Sequence, residues 1–194
     1  DGEVHVGSLN KTILGTELRN ARNSTDYRTA IYADENGVSG DYSVIDAVTS
    51  GSVTSEGAYG ITVEAESDTF GGLVVESAPY TLAEARITLD TNAVGGTTND
   101  FSGLGAAISA YGAGTLLTIE DSEIETTGVV KPALFIGGGA DVIVKNSSLT
   151  ANGGTVYDTY LSNANQGTMI GAPWHLGINN ALGNSRSVNL MGAQ

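Results

Sequence analysis

The apolar residues of this chain fall into short alternating runs broken by Gly, Asn and Ser, a pattern that predicts brief strands with one buried face. Residues 106–128 read AAISAYGAGTLLTIEDSEIETTG, and residues 132–153 read PALFIGGGADVIVKNSSLTANG. Each stretch gives a strand, a Gly-rich bend, a second strand, a polar corner, and a third strand ending in Gly. Ile108 and Ala110 recur as Leu134 and Ile136 at an offset of 26. Leu117 and Ile119 recur as Val142 and Val144 at an offset of 25, as does Ile124 in Leu149. The one-residue difference falls in the Gly-rich bend, where a structural repeat can absorb it.

A looser copy precedes these two. Leu73 and Val75 predict its first strand, Ser77 to Tyr80 its bend, Leu82 its second strand, and Ile87 with Leu89 its third. Ile61, Val63 and Ala65 predict a strand of the coil before, and Val44, Ala47, Val48 and Val53 suggest one earlier still. An excursion from Thr91 to Gly103, rich in Gly, Thr, Asn and Asp, separates the Leu73 coil from the Ile108 coil. Residues 1–40 are expected to form an N-terminal cap or entry segment, because an open sheet end is an aggregation edge that needs covering. Within them Thr16 to Arg22, followed by Tyr27, Ala30 and Ile31, suit either a short helix or an entry strand. Residues 41–194 are expected to form the coils.

Such short strands, with Gly or Asn at their corners, do not close a sandwich hairpin by hairpin. They are expected to stack each strand on its counterpart one turn later, in parallel sheets around a continuous apolar interior. The polar positions agree: Lys145 falls over Glu120, Asn146 over Asp121 and Ser147 over Ser122. Opposite charges, polar corners and paired hydroxyls are neighbours that a parallel stack tolerates. In this pattern the chain resembles the right-handed parallel β-helix superfamily, which includes pectin-lyase-like polysaccharide enzymes and the passenger domains of bacterial autotransporters and related surface proteins. The resemblance is clearest over residues 57–153 and rests on pattern, since the superfamily has no short diagnostic motif. It implies an all-β fold, a right-handed parallel β-helix, and by itself fixes no function.

Composition narrows the remaining choices. Glycine supplies 27 of the 194 residues, about twice the usual share, which suits a chain that turns every few residues. Cysteine is absent, excluding disulfide scaffolds, thiolate zinc sites and cysteine nucleophiles. The net charge is −14, with eight scattered Lys and Arg, whereas nucleic-acid binding needs clustered cations. No run of about eighteen apolar residues predicts a membrane span. A chain that opens on Asp1 is expected to be mature after leader removal, or trimmed, and the composition matches extracellular or cell-surface microbial proteins.

Candidate chemistry gathers in two places. Residues 156–186 depart from the repeat and contain Tyr157, Asp158, Tyr160, Trp174, His175 and Arg186. Aromatic rings beside a His and an Arg suit a sugar-binding cleft, and suit equally a loop packed across a sheet. Tyr157, Asp158 and Trp174 are the candidate ligand-binding residues. Tyr160, His175 and Arg186 are the candidate catalytic ones if the chain is an enzyme. The excursion supplies Asp90, Asn92, Asn99 and Asp100, hard oxygen donors of the kind calcium selects. The resemblance implies that lyases of this fold pair such a calcium with a basic residue that removes the proton beside a uronate carboxylate. It also implies that its hydrolases group aspartates on one face. Here Asp121 has only Asn146 and Glu84 as repeat mates, and a strongly acidic chain repels pectin-like substrates. Gly137-Gly138-Gly139, without a following helix, reads as a bend and not as a phosphate loop.

The leading expectation is therefore an extracellular structural or adhesive β-helix module without catalytic activity. The alternative is a carbohydrate-active enzyme, a polysaccharide lyase or glycoside hydrolase. Calcium is the one cofactor considered. Ser187 to Met191 reads as the first strand of another coil, with a single charge, Arg186, and no proline between Asn180 and Gln194. The end is accordingly expected to be covered by another copy of the chain, stacked head to tail, or by the remainder of a larger precursor.

Overall fold

The computed structural model describes residues 5–6, 28–40, 48–66, 70–90, 103, 105–128, 131–154 and 187–191. Among them there is no helix. Strands β1 (His5–Val6), β2 (Arg28–Asp34), β3 (Gly37–Gly40), β4 (Ser52–Val53), β5 (Gly57–Tyr59) and β6 (Thr62–Glu66) come first. Three triplets follow. They are β7 (Phe70–Glu76), β8 (Pro79–Ala83) and β9 (Arg86–Asp90); β10 (Ile108–Tyr111), β11 (Leu116–Glu120) and β12 (Glu123–Thr127); and β13 (Leu134–Gly137), β14 (Asp141–Lys145) and β15 (Ser148–Asn152). A last strand, β16 (Val188–Met191), stands after them.

Each triplet contributes one strand to each of three sheets. Sheet A runs β1-β3-β2-β7-β10-β13-β16, sheet C runs β14-β11-β8-β5-β4, and sheet B runs β15-β12-β9-β6. Corresponding strands pair in parallel, with Ile108 beside Leu73 and Leu134, Leu117 beside Tyr80 and Val142, and Ile124 beside Ile87 and Leu149. The pairs Ile108–Leu134, Leu117–Val142 and Ile124–Leu149 are the partners that the repeat offsets predict, whereas Tyr80, expected in a bend, lies within β8. Lys145 lies beside Glu120 in the same register.

The interior is one cluster shared by the three sheets. Ile31, Leu73, Val75, Leu82, Ile87, Leu89, Ile108, Ala110, Leu117, Ile119, Ile124 and Leu134 belong to it and are buried. The last layer is thinner than the repeat predicts. Ile136 and Val142 are only partly buried, and Val144 is 42% exposed although its neighbour Ile119 is fully buried. The cause is positional: among the described residues β14 ends its sheet, with β11 as its one neighbour.

The corners explain why the chain turns where it does. Between sheets C and B the bend residues Gly60, Glu84, Asp121 and Asn146 all have positive φ, of 62°, 53°, 49° and 51°. Stacked amides hold this column together: Glu84 N–H donates to Glu120 O, and Asp121 N–H donates to Lys145 O. One residue further on, Ala85 N–H donates to Ser122 Oγ at 3.0 Å and Ser122 N–H donates to Ser147 Oγ at 3.1 Å. The Ser hydroxyls thus satisfy backbone donors that a one-residue bend takes out of the ladder.

The N-terminal end differs from the expected additional coil. Strand β4 pairs antiparallel with β5, Val48 bridges Val63 in antiparallel sense, and β3 folds back antiparallel on β2. Val48 and Val53 therefore cover the stack and do not extend it in parallel. Of the two forms considered for Ala30 and Ile31, the strand is the one present: β2 lies parallel to β7.

Candidate functional site

The candidates named from sequence fall largely outside the described residues. Tyr157, Asp158, Tyr160, Trp174, His175 and Arg186 all do, and so do Asn92, Asn99 and Asp100. Asp90 is described. It ends β9 on an exposed position, beside Glu66 in the parallel register of sheet B. Among the described residues no three His, Cys, Asp or Glu side chains gather as a metal-binding group.

Where the coils are described, charged side chains meet their counterparts in the next layer. Glu120 and Lys145 approach to 3.7 Å, and Arg86 and Glu123 also to 3.7 Å. Asn146 Nδ2 donates to Asp121 Oδ1 at 2.7 Å, and Asn152 Nδ2 donates to Glu125 Oε1 at 2.9 Å. All four contacts run along the stack and face solvent. Ion pairs of this exposure contribute little each, but they keep acidic layers from repelling one another.

A cleft of about 350 Å³ opens at one corner, between the β2–β3 turn and the outer faces of β8 and β11. Asp34, Glu35 and Glu56 rim it, with Ser55, Thr81 and Thr118 supplying hydroxyls and Pro79 and Leu116 an apolar floor. The Asp34 carboxylate is already engaged, since it accepts from Asn36 N–H at 2.8 Å and Asn36 Nδ2 at 3.4 Å. It thereby shapes the turn that carries it. Tyr80 sits in the wall and donates its hydroxyl to Thr54 O at 3.3 Å. Burial, and next the charge of Tyr59, push its phenol above the ordinary range. The cleft can receive a hydroxylated or basic group, but among the described residues its walls bring together no nucleophile and base. Sequence reading missed it, although the Asp34-Glu35-Asn36-Gly37 turn is a legible hairpin signal.

The outer face of sheet A is unlike the other two. Tyr32, Val74, Ser109, Phe135 and Asn189 lie side by side across it, pointing away from the central core, yet Val74, Ser109, Phe135 and Asn189 are buried. A Cβ on Gly103 would come within 2.4 Å of the Phe135 ring, so the excursion returns to the sheet by laying bare backbone on an aromatic face. In the adjacent row Tyr32 donates its hydroxyl to the Glu76 carboxylate at 3.0 Å. This face is packed, and Ser109 Oγ is buried in it without a hydrogen-bond partner.

No protein-family model matches this chain, and neither a curated protein nor a solved structure does so.

Proposed function

We propose that the chain is a right-handed parallel β-helix serving as a non-catalytic structural or adhesive module of an extracellular or cell-surface protein. The three strand triplets, each paired in parallel with the one before, support a single stack of coils. Parallel crossovers are right-handed in nearly all folds, and that rule supplies the hand. One observation carries the functional part. Charged and amide side chains of successive layers pair along the stack, in Arg86–Glu123, Glu120–Lys145, Asp121–Asn146 and Glu125–Asn152. An active site gathers such groups around a cleft and leaves them open to substrate.

The test is a panel of neutral and acidic polysaccharides, each incubated with the protein with and without calcium. The proposal expects neither unsaturated uronate products nor new reducing ends, with binding or self-association as the only measurable property. Calcium-dependent turnover that vanishes in Arg186→Ala would instead establish the carbohydrate-active alternative.

A further inference from the structure

The chain contains two Asn-Gly steps, Asn36-Gly37 and Asn152-Gly153. This dipeptide carries its own chemistry, because a following residue without a Cβ lets its amide nitrogen reach the Asn side chain. Both Asn residues are exposed, so access to water does not separate them. Backbone bonding does. Asn152 ends β15 beside Thr127, where its carbonyl accepts from Gly128 N–H at 3.1 Å and its Nδ2 donates to Glu125 Oε1 at 2.9 Å. Those bonds fix the peptide plane that holds Gly153 N and the amide which that nitrogen has to attack. Asn36 lies outside the ladder, in the two-residue turn between β2 and β3. Its Nδ2 reaches Asp34 Oδ2 at a long 3.4 Å. Among the described residues nothing lies within 4 Å of where a Cβ on Gly37 would stand, which leaves room for a ring to close.

We propose that Asn36 is a self-modification site, at which the turn converts a side-chain amide into a carboxylate. The Gly37 amide gives its proton to hydroxide, and its nitrogen attacks Cγ of Asn36. A C–N bond forms, the Cγ–Nδ2 bond breaks, and Nδ2 takes a proton from water and leaves as ammonia. Water then opens the cyclic imide at either carbonyl, giving aspartate or isoaspartate.

The product changes the turn that makes it. A carboxylate replaces the amide that donated to Asp34, so attraction across the turn becomes repulsion. Isoaspartate also lengthens the backbone by one carbon inside a turn that pairs Asp34 with Gly37. Both changes loosen β3 from β2, and with it Val38, which packs against the core. The antiparallel cover of sheet A therefore weakens with age.

The test is to incubate the full chain in mildly alkaline buffer, native and in urea, and to follow both steps by peptide mapping and enzymatic methylation of isoaspartate. In urea the two should convert at similar rates, since the dipeptide is the same. In the native protein Asn36 should keep that rate. Asn152 should fall about fivefold or more below it, the factor set by breaking one hydrogen bond. Asn36→Gln keeps an amide at the turn but requires a larger ring, and should stop conversion there. Hydrogen exchange along β3 should quicken in aged wild type and not in aged Asn36→Gln. Native conversion of Asn36 as slow as that of Asn152 would overturn the site. Unchanged β3 exchange after full conversion would overturn the loosening of the cover.

Discussion

Ile119 and Val144 occupy the same column of sheet C in successive layers, and the comparison isolates what a covering layer contributes. Ile119 is fully buried between Leu82 and Val144, whereas Val144 is 42% exposed. Ile119→Ala removes three carbons from a dry interior, about 2.4 kcal/mol of transfer free energy at ~0.8 kcal/mol each. The cavity left behind raises the cost to roughly 3–5 kcal/mol, because strands held on both sides relax little. Val144→Ala removes two carbons that are only partly covered and leaves a dent open to water, so it costs ~1 kcal/mol or less. For a chain of this size each kcal/mol is worth about 2–4 °C in melting temperature. Calorimetry at low protein concentration should therefore lower the midpoint by roughly 6–20 °C for the first variant, and by no more than ~4 °C for the second. Equal losses would refute the reasoning, since Val144 would then be covered as Ile119 is.

The remaining predictions concern the core, a corner and pH. Leu134→Asp buries an unpaired carboxylate between Ile108 and Val188, which costs several kcal/mol, so the far-UV strand signal should be lost; a normal melt would refute the inward register. Glu84→Asn should raise stability by up to about 1 kcal/mol, measured by urea unfolding, because φ is 53° there and Asn tolerates the left-handed region better than Glu. The Tyr80 phenol is raised in the folded state by burial and then by Tyr59, so the native protein holds its proton more tightly than the unfolded chain does. The resulting stability is intact below the unfolded phenol value of about 10 and falls as pH rises above it. Alkaline melting curves should show this fall in the wild type and a smaller one in Tyr80→Phe.

The register of the stack was legible in the sequence because a parallel ladder repeats its neighbours at a fixed offset. Ile108 with Leu134, Leu117 with Val142, and Lys145 with Glu120 are visible as pairs before any coordinates. The Gly-rich bends at Gly112, Gly114, Gly138 and Gly139 were legible because Gly adopts positive φ freely, whereas Glu84 and Asp121 take positive φ with no such residue to mark it. Other features depend on contacts that have no period. Val48 and Val53 have the alternation of a further coil, and only their pairing partners decide that they run antiparallel and finish the stack. The cleft at Asp34, Glu56 and Leu116 joins three segments far apart in the chain, and no local pattern announces such a meeting. Ser109 and Phe135 read as the outward half of alternating strands, and it took Gly103 lying against the Phe135 ring to show a packed face. Val144 reads like Ile119. The column was set by sequence, but whether a position in it is core depends on what lies above, and only the assembled layers decide that.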